Sequence, residues 1–187
     1  MWQSVAVFCG SRPGKNPLYT RHTEAIGLIL AQHNIQLIYG GGKNGLMGII
    51  ADAVLKNNGK VIGVLPSILS EQEHRHDSLT TLHVVETMHE RKKMMYDLCD
   101  AAIILPGGYG TLDELFEMIT WNQLNIHNKK IVLMNTDGYY DHLIAHLEQM
   151  QAEDFLYNNW KESLVIIEHP QALAFLMDED IHQTRRV

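Results

Sequence analysis

Short apolar runs alternate with longer amphipathic stretches along the sequence. Residues 5–9, 35–39, 61–65, 82–85, 101–105 and 131–134 have the length and composition of strands. Residues 17–32, 45–57, 88–99, 111–123 and 139–151 carry helical periodicity between them, and 164–167 with 170–177 close the pattern. The run Ala101-Ala102-Ile103-Ile104-Leu105 is apolar at every position rather than at alternate ones. A strand needs that pattern when helices cover both faces of a parallel sheet. The expectation is therefore an α/β fold, a doubly wound parallel sheet flanked by helices. With 187 residues and no repeat, low-complexity tract or linker, residues 1–187 read as a single domain. The least patterned stretch is 67–81, with Glu71, Glu73, His74, Arg75, His76 and Asp77. It reads as a solvated loop or as a rim over a site.

In such folds ligands bind beyond the carboxyl ends of the strands, so the residues that follow each strand carry the chemistry. Three of these loops could cradle an anion. Gly10 and Ser11 follow the first strand directly. Gly40, Gly42 and Gly45 match the spacing G-x-G-x-x-G, with Gly41 between them. That match is incomplete: it follows the second strand, and no acid stands ~20 residues further on, where a dinucleotide ribose would need one. These glycines could equally serve a tight turn and close helix packing. The third loop is Pro106-Gly107-Gly108-Tyr109-Gly110-Thr111. A buried strand runs through it into a helix, whose unpaired N–H groups and dipole favour an anion. Thr111 and Glu114 have the spacing of a capping box, so Glu114 reads either as a capping partner or as a functional carboxylate.

Arg91 is the second ambiguous charge. Met88, Met95 and Leu98 mark one helical stripe, and Arg91 falls on it with no acid at i±4. It either snorkels along the methionines to water or meets an anion supplied from elsewhere. Lys93, with Glu90 and Asp97 close by, reads as a solvated surface charge.

Composition narrows the partners. Fifteen basic against 22 acidic residues give a net charge of −7, which disfavours a nucleic-acid partner. No apolar run reaches 18 residues, so no membrane span is expected. The first residues lack a signal-peptide pattern. Cys9 and Cys99 form no paired motif, which points to a reducing, cytoplasmic setting and away from a metal site. His142 and His146, four apart on a helix, lack the Glu of a zinc-protease motif. Cys9 has no adjacent base to activate it.

Three segments together, Met88-His89-Glu90-Arg91-Lys92-Lys93-Met94-Met95, the run 106–114 and the run 40–48, resemble the LOG ("lonely guy") family. Its members are cytokinin riboside 5′-monophosphate phosphoribohydrolases, many once labelled possible lysine decarboxylases. The pattern PGGxGTxxE is met in full, as is M-x-x-R-K, and residues 119–127 and 137–140 are also similar to the family. The resemblance runs to about residue 150 and departs most at 67–81 and in the last ~35 residues. It implies a Rossmann-like homodimer, free of cofactor and metal. Such an enzyme cleaves the N-glycosidic bond of a nucleoside 5′-monophosphate to a free base and ribose 5-phosphate. By the same resemblance Arg91 and Glu114 are the catalytic pair. Glu73, Arg91, Lys92, Gly108, Tyr109, Gly110, Thr111, Leu112, Asp113, Glu114 and Thr120 are substrate-binding positions. The glycine loops add Gly107, Gly10, Ser11, Gly41 and Gly42 to these as candidates.

The expected homodimer also has a compositional motive. Met94, Met95, Leu115, Phe116, Met118, Ile119 and Trp121 are more than one sheet face is expected to cover. The rival from another class is a non-catalytic nucleotide-binding or molybdenum-cofactor carrier protein of the same fold. It has no use for a carboxylate beside an anion. An NAD-type oxidoreductase lacks its acid, and a lysine decarboxylase lacks a pointer to a pyridoxal-phosphate lysine.

Overall fold

The first strand, Ser4–Phe8 (β1), lies in the middle of the sheet. The computed structural model describes residues 2–70 and 75–184. The chain winds outward from β1 in one direction through Pro17–Gln32 (α1), Gln36–Tyr39 (β2), Gly45–Lys56 (α2), Val61–Pro66 (β3), Ser67–Ser70 (α3) and Thr81–Val85 (β4). It then crosses back by Met88–Leu98 (α4) and winds the other way. That half comprises Ala101–Ile104 (β5), Tyr109–Gln123 (α5), Lys130–Met134 (β6), Asp141–Ala152 (α6), Leu164–Ile167 (β7) and Pro170–Thr184 (α7). The strand order is β4-β3-β2-β1-β5-β6-β7 and every pairing is parallel. This is the doubly wound single domain that the strand–helix alternation implies.

Two apolar layers hold the helices on. Val5 and Val7 of β1 face α1, α2 and α7, whereas Ala6 and Phe8 face α4, α5 and α6. The same division runs through Ile103 and Ile104 of β5, as a period of two requires. The start of β1 is fastened across the sheet, because the Asp100 carboxylate accepts from the backbone N of Gln3 (2.7 Å) and of Ser4 (3.0 Å).

Several local expectations change. The stretch after β3 opens with the one-turn α3 rather than with loop. Helix α5 starts at Tyr109, two residues early, with Gly108 as its N-cap and no side-chain cap bond. Thr111 is therefore inside the helix, and the Thr111–Glu114 capping box does not form. The same Thr-x-x-Glu spacing does cap α4: Thr87 accepts from the Glu90 backbone N at 3.1 Å, and Glu90 accepts from the Glu86 backbone N at 3.0 Å.

The apolar stripe of α4 is also different. Met88 and Leu98 are exposed, and the buried positions are Arg91, Lys92, Met95 and Tyr96. The compositional motive for a dimer falls away as well. Met95, Leu115 and Met118 are fully buried, and Met94, Phe116, Ile119 and Trp121 pack against the same core. Two further exposed apolar side chains, Leu124 and Ile126, lie just past α5.

Candidate active site

The order reverses between β1 and β5, so the loops after these two strands diverge and leave a crevice. Backbone bonds stitch the loops together at its base: Gly10 N donates to Pro106 O at 3.0 Å and Leu46 N donates to Gly10 O at 3.0 Å. Above them lies a cavity of about 280 Å³, bordered by Gly10, Ser11, Arg12, Gly107, Gly108 and Tyr139. Tyr139 and Tyr140 fix its far wall by donating to Gly107 O and Leu105 O, both at 2.7 Å.

The glycines of the 106–110 loop divide into two kinds. A Cβ on Gly107 would come within 2.1 Å of Thr111 Oγ1, so the fold itself requires glycine there. A Cβ on Gly108 or Gly110 would meet nothing within 4 Å. Gly108 has φ −96°, which any residue adopts. Neither packing nor backbone conformation asks for glycine at these two positions. What remains is room for something outside the chain to approach the start of α5, where the first-turn N–H groups point outward uncapped. Tyr109, between them, is almost wholly exposed.

Glu114 sits one turn further along α5, facing inward and 9% exposed. Burial pushes its carboxyl up to about 7; Arg91 opposes the shift, Asp113 adds to it, Lys92 opposes it and Glu117 adds. Arg91 approaches from α4 and is 8% exposed. Its guanidinium is anchored on the ends of two strands: Nε donates to Val64 O at 3.2 Å and Nη2 to Gly40 O at 3.3 Å. Snorkelling to water is therefore excluded. Arg91 and Glu114 feel each other through space, yet they do not close into an ion pair within 4.0 Å. Two buried opposite charges held apart leave the other guanidinium donors and the carboxylate available to a third body.

Lys92 is placed differently. Its ammonium reaches Asp113 at 3.0 Å and Glu117 at 2.9 Å, and Tyr96 donates to the same Glu117 oxygen at 2.7 Å. Burial pulls the Lys92 pKa down, but the bonds from Glu117 and Asp113 outweigh it and leave it raised. Lys92 and Asp113 thus tie α4 to α5 and hold Arg91 and Glu114 in register. Lys93 pairs with Asp97 on the surface, as its spacing indicates.

The remaining candidates scatter. Leu112 packs against the apolar layer that faces α4, α5 and α6. Gly41 and Gly42 are buried, and their polar groups meet the 75–76 segment: His76 N donates to Gly41 O, and Gly42 bridges Arg75. Gly41, with φ +80°, and Gly45, with φ +58°, make the turn that lets this happen. Thr120 is exposed near the other end of α5, its hydroxyl donating to Phe116 O at 2.7 Å. It lines a separate cavity of about 520 Å³ beside α6. Glu73, together with Glu71 and His74, lies outside the described residues. Cys9 is buried, and burial drives its thiol far up, away from the reactive thiolate form. His142 and His146 are exposed on α6. Among the described residues no three His, Cys, Asp or Glu side chains cluster to hold a metal, and no helix is long and apolar enough to cross a membrane.

The family profile described as possible lysine decarboxylase matches residues 47–177, which span Arg91 and Glu114. A cytokinin riboside 5′-monophosphate phosphoribohydrolase from Rhodococcoides fascians is 45% identical over 155 residues, 82% of this chain and 78% of that one. The chain belongs to the LOG family. A LOG protein of Arabidopsis thaliana with the same enzyme name is 43% identical over 168 residues, covering 90% of this chain and 77% of the relative. Among solved structures, the fold is shared with a molybdenum cofactor binding protein from Rippkaea orientalis (TM-score 0.72, 22% identity, 97% and 98% of the two chains). It is shared too with the molybdenum cofactor carrier protein of Chlamydomonas reinhardtii (TM-score 0.72, 15% identity, 96% and 98%). These distant structures place the LOG chain among Rossmann-like folds.

Proposed function

We propose that this LOG protein hydrolyses the N-glycosidic bond of a nucleoside 5′-monophosphate of the adenosine class, N6-substituted or not, to free base and ribose 5-phosphate. The observation that carries the reading is the pair Glu114 and Arg91: two buried, opposite charges, held apart beside an uncapped helix start. The relatives' names supply the reaction class. A carrier of the same fold would not bury a carboxylate next to its anion, where it repels the cargo.

The 5′-phosphate docks on the N–H groups at the start of α5, where Gly108 and Gly110 leave the approach clear. The ribose then lies along the first turns of α5, with C1′ toward Glu114. As the C1′–N bond breaks, its electron pair leaves with the base, whose nitrogen takes up a proton, and positive charge builds on the sugar. The Glu114 carboxylate stabilises that charge in a setting of low dielectric, where such an interaction is strongest. A titration point near 7 also suits it to take a proton from the water that adds to C1′. Arg91 keeps enough of Glu114 ionised for this and turns its remaining donors to the nucleotide. Lys92 and Asp113 serve the site by holding the two helices together rather than by touching substrate.

Thr120 fits the scheme only through a second copy. It lies six residues, about 9 Å of helix, beyond Glu114 and turns to another face. We therefore propose a homodimer in which the exposed end of α5, with Thr120, Leu124 and Ile126, meets the partner. The two free cysteines, both buried, suit a reducing, cytoplasmic compartment.

The test is base release. Purified protein is incubated with AMP and with isopentenyl-AMP, and the products are separated by chromatography. Free base and ribose 5-phosphate are expected in equal amounts, with turnover reduced ~100-fold or more in Glu114→Ala. Undiminished turnover in a folded Glu114→Ala protein would overturn the assignment.

A further inference from the structure

Among the described residues His76 is the buried histidine, and the reaction does not use it. Its side chain is only 4% exposed, yet it lies in a stretch that the sequence marks as loop. Ser78 N donates to Nδ1 at 3.3 Å, so that nitrogen is bare; Nε2 therefore carries the proton and donates to Asp52 Oδ1 of α2 at 3.2 Å. The backbone of the same residue donates to Gly41 O at 3.2 Å, and its neighbour Arg75 pairs with Gly42. Leu79 completes the contact, since a Cβ on Gly63 would come within 2.5 Å of Leu79 Cδ1 and 3.0 Å of Gly41 Cα.

The 75–79 turn is thus fastened by one ring to α2 and by its backbone to the glycine loop that leads into α2. The same glycine loop seats Arg91. Gly40 O accepts from Nη2, and a Cβ on Gly40 would lie 1.8 Å from that nitrogen. Gly40 and Gly41 share a peptide plane, which is rigid. Rotation of that plane moves the carbonyl that holds Arg91. Gly41 O lies in the next plane, Gly41–Gly42, which pivots on the same Gly41 Cα, and the hydrogen bond from His76 N to Gly41 O holds that second plane.

We propose that His76, through Asp52, is a positioning residue for Arg91. The ring locks the 75–78 turn, the turn holds the Gly41–Gly42 peptide, and that peptide, joined at Gly41 Cα, limits rotation of the Gly40 carbonyl that fixes the guanidinium opposite Glu114. The proposal rests on the catalytic reading of Arg91, but it has a consequence in the folded protein without substrate. The Arg91 Nε–H, bonded to Val64 O inside the protein, exchanges slowly with water only while the guanidinium stays seated.

The experiment has two arms. In the first, ¹⁵N-labelled protein is followed by NMR, with the Arg91 Nε–H signal assigned by its loss in Arg91→Lys. His76→Ala and Asp52→Ala are expected to speed exchange of that proton at least ~10-fold while amides of β1 and β5 keep their protection. In the second arm the same variants release base from AMP with kcat lowered ~10-fold and KM little changed, and His76→Gln, which keeps a donor toward Asp52, recovers part of the loss. Asp52 is half exposed on α2, so its variant reports even where His76→Ala folds poorly. Unchanged Arg91 exchange in a folded Asp52→Ala protein overturns the proposal. Should the wild type release no base, the proposed reaction fails, and the exchange arm alone decides the positioning role.

Discussion

Gly40 and Arg91, 51 positions apart in the sequence, occupy one seat. The guanidinium takes the space where any side chain on residue 40 would begin, 1.8 Å from its Nη2. A strand end has been left bare so that a cation from the opposite helix layer can lie on its backbone. Gly40→Ala is therefore expected to act as an Arg91 variant: base release falls ~100-fold, and stability drops by about 1–3 kcal/mol from the forced repacking. Steady-state assays and urea unfolding measure the two effects. Wild-type activity in Gly40→Ala would show that the position of Arg91 has no bearing on catalysis.

Gly110 gives the opposite combination. It stands in the first turn of α5, and a methyl group there touches nothing in the protein. Alanine is the better helix former by ~0.5–1 kcal/mol. Gly110→Ala should hold or raise the melting temperature while increasing KM for AMP ~10-fold or more. An unchanged KM would mean that the nucleotide approaches elsewhere.

Glu114 links pH to both rate and stability. Its carboxyl titrates near 7 in the folded protein against 4.5 ordinarily, so the native state takes up the proton first as pH falls. Ionised Glu114 opposes folding by ~3 kcal/mol above pH 7; the penalty shrinks between 7 and 4.5 and is gone below. Glu114→Gln should thus be more stable than wild type at pH 8, and the gap should narrow to ~1 kcal/mol or less at pH 5. Denaturant titrations at the two pH values provide the check, and a pH-independent gap would exclude the shift. If the carboxylate form does the chemistry, kcat/KM also falls tenfold per unit below about 7 in wild type.

The dependence on phosphate follows from the start of α5. Its N–H groups suit a dianion and have little use for a neutral hydroxyl. Adenosine should be cleaved ~100-fold more slowly than AMP, corresponding to about 3 kcal/mol of lost binding in the transition state. Comparing adenine release at equal concentrations decides it; similar rates would make the protein a plain nucleosidase.

The strands were legible because burial on both faces writes an unbroken apolar run, as in 101–105, and glycines punctuate each run. Arg91 is legible for a related reason, a charge at the helical spacing of apolar residues in α4. Even so, Met88 and Leu98, which defined its stripe, turn outward. The two Thr-x-x-Glu spacings mark where local reading stops. Thr87 caps α4, whereas the equivalent spacing at Thr111 lies inside a helix that glycines allow to start earlier. The Thr-x-x-Glu spacing itself does not distinguish them. The seat of Arg91 on Gly40, the pairing of Lys92 with Glu117 and the anchoring of His76 on Asp52 link residues 51, 25 and 24 positions apart. Such contacts leave no period in the sequence. For Gly40 the only trace is a glycine with no turn of its own to make, its φ lying outside the left-handed region that Gly41 occupies.

The central place of β1 sets a sequence of events for the nascent chain. One flank of β1 finds its neighbour, β2, within the first 39 residues; the other must wait for β5, which ends at residue 104. In the interval the protein carries an open row of amide and carbonyl groups along a strand that is buried at every position in the finished fold, the arrangement that recruits foreign strands. The carboxylate of Asp100 then meets the amides of Gln3 and Ser4 one residue before β5 begins. It closes the seam from its lower end and sets the register in which β5 zips onto β1.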